Sequence, residues 1–147
     1  MGTKTRRVVA TVDAENNALF ASNYGFMVQV ADELGAGIAW TVIVPQDYVS
    51  GGTIYFYYSS PGTGTINTTY WIGAKAPGSA FAWNEDNGVN GAIGVSAADT
   101  LYSGSFVLDG GYATGDMIYG LLRRRTGDAN TSNLYLKGIE FEYTAAF

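Results

Sequence analysis

Neither histidine nor cysteine occurs anywhere in the 147 residues. The first absence removes the imidazole base of a Ser-His-Asp triad and the commonest nitrogen ligand for a metal. The second removes thiol nucleophiles, thiolate metal sites and disulfides, so stability has to come from packing or from oligomerisation. Charge is also scarce, at 14% of residues, against about 25% in an ordinary domain. Such a surface calls for partners to cover it. No window approaches 18 uninterrupted apolar residues, and only a few apolar residues separate Arg7 from Asp13. Neither a transmembrane helix nor a signal peptide is expected, which points to a soluble protein made in the cytoplasm. No Gly-x-Ser-x-Gly elbow and no Gly-x-x-x-x-Gly-Lys-Ser/Thr loop appears, so hydrolase and nucleotide-binding readings lose their usual support.

What is present is apolar and aromatic. Hydrophobic residues make up 47% of the chain and aromatic residues 14%, with 11 Tyr, 7 Phe and 20 Gly. Large amphipathic rings suit sheet faces and interfaces. The length fits one domain that buries about two-thirds of its unfolded surface. The net charge of -5 is unevenly spread: six of the eight basic residues lie in two clusters, Lys4/Arg6/Arg7 and Arg123/Arg124/Arg125. Between residues 8 and 122, ten acidic residues face Lys75 alone. The chain therefore reads as a basic N-terminal arm, residues 1–12, leading into the first strand of a single domain, residues 13–147. The alternative for the arm is an ordinary solvated terminus. A sequence pI near 4.4 argues against nucleic acid, which needs a larger basic footprint.

Alternation with period two marks strands at 6–12, 25–30, 37–44, 53–59, 66–74, 100–108, 116–123 and 134–143, with a weaker one at 80–84. The only helical pattern, Asp13 to Ala21, is short and Asn-rich and reads as a loop or a single turn. Without βαβ alternation or internal repeats, the expected fold class is all-β, an antiparallel β-sandwich of jelly-roll type with about eight strands.

The most informative stretch is Trp40 to Ser60, two apolar runs around Pro45-Gln-Asp-Tyr-Val-Ser-Gly-Gly52. In its second run Ile54, Phe56 and Tyr58 share one face, leaving Tyr55 and Tyr57 on the other. Val42, Ile43 and Val44 make both faces of their strand apolar, as in a strand buried on both sides. In the last strand, Ile139, Phe141 and Tyr143 form the core face. Arg124 should point opposite to Arg123 and Arg125, and the cluster is either a solvated strand end paired with Asp128 or Asp116, or a clamp for a neighbouring subunit.

A glycosidase needs two carboxylates roughly 5–10 Å apart, and Asp47, Glu85, Asp86 and Asp99 are the candidates for them. Asn84 to Asn90 gathers oxygen ligands around a glycine but lacks the twelfth-position Glu of a calcium loop, so a solvated turn is the better reading. Tyr70, Trp71 and Trp83 form a possible sugar-stacking set, with core or interface packing as the commoner use of such rings. No cofactor, no metal and no catalysis are expected.

The Trp40–Phe56 stretch, Gly115-Asp-Met-Ile-Tyr-Gly-Leu-Leu-Arg-Arg-Arg-Thr-Gly-Asp128 and Leu134-Tyr-Leu-Lys-Gly-Ile-Glu-Phe-Glu-Tyr143 together resemble small jelly-roll and β-sandwich structural proteins of tailed bacteriophage virions. That resemblance covers about two-thirds of the chain and carries no catalytic motif. It implies a capsid decoration, or cement, protein: a homotrimer on the outer surface of the capsid that binds and stabilises the major capsid protein, with no nucleic acid or membrane as partner. Lys4, Arg6, Arg7, Tyr55, Tyr57, Arg123, Arg124 and Arg125 would then be the capsid or subunit contacts. The second expectation is a receptor- or glycan-binding module of a phage tail, fibre or baseplate.

Overall fold

The computed structural model describes residues 2–15, 18–21, 27–80, 89–108 and 111–147. Among these every regular element is a strand: β1 Thr3–Val9, β2 Thr11–Glu15, β3 Leu19–Ala21, β4 Met27–Val30, β5 Gly37–Ile43, β6 Tyr48–Ser59, β7 Gly64–Lys75, β8 Val89–Val95, β9 Tyr102–Val107, β10 Met117–Arg124 and β11 Leu134–Ala146. A first sheet runs β3-β4-β11-β6-β9, with β1 also on β11, and a second runs β2-β5-β10-β7-β8. All pairings are antiparallel. The expected all-β sandwich of jelly-roll type is the observed fold, with more strands than the eight expected. The weak strand expected at 80–84 lies, beyond Ala80, outside the described residues.

Three departures from the expected strands have physical reasons. Residues 6–12 were read as one strand, but the chain changes sheets at Ala10, which is buried and donates its N–H to Ile139 O at 2.9 Å. The helical pattern over 13–21 yields strands at Thr11–Glu15 and Leu19–Ala21, because Val12 and Ala14 face the core while Asp13 faces out. Strand β8, Val89–Val95, is not among the expected strands: it starts inside the stretch read as a solvated turn, and its remainder falls in residues given no element. Its two glycines blur the alternation that would reveal it.

The core lies between the sheets. Ile38, Trp40 and Val42 of β5, Ile118 and Leu122 of β10 and Ile66 of β7 face Ile54, Phe56 and Tyr58 of β6 and Ile139, Phe141 and Tyr143 of β11. Phe106 of β9 ties the sheets, with its ring 4.9 Å from Tyr70, 5.8 Å from Phe56 and 6.5 Å from Trp40. Ile43 is 57% exposed, so β5 is buried on one face only, contrary to the reading of its apolar run.

The inward faces of β6 and of β11 from Ile139 onward are those expected. Earlier in β11 the phase inverts, because Leu136 pairs with Tyr58 while Gly138 pairs with Tyr57. Lys137 is therefore an extra residue, a bulge that turns Leu134 and Leu136 inward as well.

Candidate functional site

On the outer face of the first sheet, β1 brings Arg7 opposite Glu142 of β11. Arg7 Nε donates to Glu142 Oε2 at 2.7 Å and Nη1 donates to the Tyr57 hydroxyl at 3.0 Å. Tyr57 in turn donates to Glu140 Oε2 at 2.8 Å, and the guanidinium lies 4.1 Å from the centre of the Tyr55 ring. The hydrogen bond to Glu142 holds Arg7 above the usual guanidinium range, and the bond to Glu140 raises the Tyr57 phenol above its ordinary value. Tyr55 and Tyr57 do face outward, yet their polar atoms are engaged by this chain's own Arg7 and glutamates.

The other residues of the expected basic arm go elsewhere. Residues 3–9 are a strand of the sheet and not a free arm. Arg6 pairs with Asp47 at 2.7 Å, and Asp47 also accepts from the Tyr143 hydroxyl at 2.8 Å. Burial and that bond raise the Tyr143 pKa. Lys4 Nζ lies 5.5 Å from the Phe147 ring centre.

The arginine cluster is split by the pleat of β10, as expected, but with a different outcome. Arg124 turns inward and its side chain is 0% exposed. It donates to Asp128 Oδ2 at 2.7 Å and to the Ser132 and Asn130 carbonyls at 2.6 and 2.5 Å, with Asp32 at 3.2 Å. Asp128 also accepts the Asn67 N–H, and the Asn130 amide donates to Gly62 O. One guanidinium thus ties the loops 31–36, 60–63 and 125–133 together. The expected pairing of Arg124 with Asp128 is present, but the solvated strand end and the subunit clamp are corrected: it is a buried structural ion pair, held because unpaired charge in the interior is too costly. Arg125 is half-buried past the strand end, its N–H donating to Asn67 O at 2.9 Å.

Arg123 emerges on the outer face of the second sheet. It grips Glu15 of β2 with two bonds, 2.8 and 3.0 Å, across Gly37 of β5. A Cβ on Gly37 would run into the Leu122 carbonyl and Arg123 itself, so the glycine is what lets the arginine cross the strand. Arg123 also lies 5.3 Å from the Trp71 ring centre. Register places Asp13, Ala39, Leu121 and Trp71 in one row and Thr11, Thr41, Tyr119 and Gly73 in the next. The Tyr119 ring lies over Gly73, where a Cβ would meet it at 2.5 Å. Thr69 donates to Asn90 Oδ1 at 3.0 Å alongside. Tyr119 and Leu121 are themselves buried, at 8% and 4% exposed, so the half-buried Trp71 is the ring that this face offers, edged by the Thr69 hydroxyl, the Asn90 amide, the Glu15 carboxylate and the Arg123 guanidinium.

Sequence reasoning singled out Trp71 and Arg123 here but missed Glu15 and Tyr119. Glu15 sits 108 positions before its partner, and no local pattern signals such a pairing. Tyr70 faces inward onto Phe106 and is not part of the surface; Trp83 lies outside the described residues. So do Glu85, Asp86 and the loop from Asn84 to Gly88; Val89 and Asn90 belong to β8. Asp47 and Asp99 flank opposite ends of β6, since the Asp99 N–H donates to Ser60 O, which puts roughly 40 Å between them by strand rise. They cannot act together as glycosidase carboxylates. Among the described residues no acidic cluster could hold a metal ion, and no helix is long and apolar enough to cross a membrane.

No protein-family model matches the chain, and no curated protein matches it in sequence. Solved structures do. The chain is similar to a family 35 carbohydrate-binding module from Clostridium thermocellum, at 14% identity and a TM-score of 0.53, covering 93% of this chain and 90% of that one. It is similar to the carbohydrate-binding module CBM36 solved with calcium and xylotriose, at 17% identity and 0.52, covering 95% and 99%. A third likeness, at 21% identity and 0.51, is to an Arthrobacter globiformis isomalto-dextranase complexed with panose; 95% of this chain matches 23% of that enzyme. At such identities the shared feature is the fold, a β-sandwich of the jelly-roll type used by carbohydrate-binding modules.

Proposed function

We propose that the chain is a non-catalytic glycan-binding module whose platform is the outer face of β2-β5-β10-β7-β8. The observation that carries this reading is the grouping of Trp71 with Arg123, Glu15, Thr69 and Asn90 on one sheet face. A sugar offers apolar C–H patches and a rim of hydroxyls, so its receptor needs an aromatic plane beside fixed donors and acceptors. The structural neighbours support it, two of them being carbohydrate-binding modules and a third a part of a carbohydrate-active enzyme. The capsid decoration reading, with the major capsid protein as partner, draws no support from those neighbours. A phage tail, fibre or baseplate setting for the module is part of the proposal and predicts a bacterial surface polysaccharide as ligand.

Affinity electrophoresis through gels containing plant or bacterial polysaccharides tests the proposal. At least one polysaccharide should retard the protein, and Trp71→Ala should weaken binding by about tenfold or more. A protein retarded by none of them, or a folded Trp71→Ala variant that binds like the parent, would overturn the assignment.

A further inference from the structure

Strands β8 and β9 close one flank of the sandwich, and among the described residues each is paired on one side only. An open strand edge is a template for another strand, and proteins guard it with charge, proline, bulges or cover. The opposite flank follows that rule with Lys4, Arg6 and Arg7 on β1, Asp13 and Glu15 on β2, and an edge strand β3 of only 3 residues. Between residues 89 and 108, by contrast, Asp99 is the only charged residue and no proline occurs. Neither the β6–β9 nor the β7–β8 register contains a shift. The edge of β9 is further marked by two exposed apolar side chains, Val107 at 78% and Leu101 at 62%.

The backbone of β9 is presented for pairing. Leu108 donates its N–H to Gly52 O at 2.9 Å, and hydrogen-bonding residues alternate along an antiparallel strand. Ser103, Ser105 and Val107 therefore turn their N–H and C=O groups to the open edge.

We propose that this edge pairs with a second copy of the chain, β9 against β9 antiparallel, about a two-fold axis at Gly104. This register sets Ser105 against the partner's Ser103, Phe106 against the partner's Tyr102, and Val107 against the partner's Leu101. Faces are preserved only when the register moves by two residues. Moving the axis to Ser103 or Ser105 leaves Leu101 or Val107 without its apolar counterpart, so the Gly104 register alone covers both exposed residues in both copies. The occupant is a second copy because the edge is complementary to itself: uncharged, unbroken and carrying Val107 and Leu101 at opposite ends. The two first sheets join into one continuous sheet across an isologous interface. A single strand pair falls below the area of a tight complex, so the dimer is reversible.

Sedimentation or light scattering over a wide concentration range reads the association directly. The parent should reach twice the chain mass, and Val107→Lys and Ser105→Pro should each remain at the monomer mass with the far-ultraviolet spectrum and melting temperature unchanged. Proline at 105 deletes an N–H that faces the open edge, not one that holds β9 to β6. Register is read by cross-linking, which the absence of native cysteine makes clean. Facing residues in a hydrogen-bonded pair lie about 5.5 Å apart at Cα, within disulfide reach. Oxidised Ser103→Cys/Ser105→Cys should give a covalent dimer and Ser105→Cys alone should not. A parent that stays monomeric or forms a trimer, a dimer that survives Val107→Lys, or cross-linking by Ser105→Cys alone overturns the proposal.

Discussion

The two flanks of the sandwich meet the same physical problem and differ in their answer. Each ends in strands whose outer hydrogen-bonding groups lack a neighbouring strand. On the β1/β2 flank the side chains carry charge and spend it locally, Arg7 on Glu140 and Glu142, Arg6 on Asp47, and Arg123 on Glu15. On the β8/β9 flank the strands carry no charge at all, and the exposed positions are Ser103, Ser105, Val107, Val89, Asn90, Ala92 and Gly94. Scarcity of charge is thus not a uniform property of this protein. It is concentrated on one side, and the difference separates a flank that repels strand addition from one that permits it.

The largest expected effect comes from a charge that belongs to neither flank. Arg124 on the middle strand β10 is enclosed, and Arg124→Leu leaves Asp128, itself 1% exposed, buried without its counterion. A loss of about 3–5 kcal/mol in chemical denaturation is expected. A loss no greater than that from removing a surface pair would show that the interior charge is as dispensable as the flanking ones. Next come two glycines, one beside each flank. Gly37→Ala forces a methyl group against the Leu122 carbonyl, backbone that cannot step aside, whereas Gly104→Ala meets the ring of Phe56, which can shift. Losses of about 3 and about 1–2 kcal/mol are expected in that order. The reverse order would mean that β9 is held more rigidly than β5, and would break the contrast between a fastened flank and an open one. A smaller effect is expected at Arg7. Arg7→Gln should lower the melting temperature slightly, and the difference should shrink in high salt because the pairs are exposed.

Much of the first contrast was legible in the sequence. Charged residues at Lys4, Arg6 and Arg7, and a single one, Asp99, from 89 to 108, can be counted without a structure, and the alternation of Thr53 to Ser59 fixes which face of β6 is buried. What alternation cannot show is the third dimension. The inward turn of Arg124 follows from parity once β10 is known, but its three-loop grip depends on chain segments that meet only in the fold. The partnership of Glu15 with Arg123 depends on β2 lying two strands from β10, with Gly37 leaving room between them. The bulge at Lys137 escapes period-two reading because it is a break in the period. The platform around Trp71 was visible as one tryptophan and became a surface only when register set Tyr119, Thr69 and Asn90 beside it.

The smallest expected effect places charge on the flank that has none. Tyr58 and Tyr102 stack with ring centres 5.6 Å apart, yet their phenols are pushed in opposite directions. Burial raises Tyr58, whose hydroxyl donates to Gly94 O at 2.9 Å. Hydrogen bonding with Ser96, aided by the Ala97 N–H at 2.7 Å, lowers Tyr102. Tyr102 should therefore ionise before Tyr58 in an ultraviolet difference titration, and Tyr102→Phe should remove the earlier of the two steps. The lowered pKa of Tyr102 adds stability as pH rises through its folded value and remains above the unfolded value of about 10. The raised pKa of Tyr58 does the opposite, its contribution being present below about 10 and lost as pH rises through the folded value. Tyr102→Phe should thus bring alkaline unfolding to lower pH, and Tyr58→Phe should delay it. Ionisation of Tyr102 also puts a charge on the otherwise uncharged strand β9, and the dimer should separate before either chain unfolds. If association persists to the pH of unfolding, the open flank does not depend on its neutrality, and the contrast with the β1/β2 flank loses its cause.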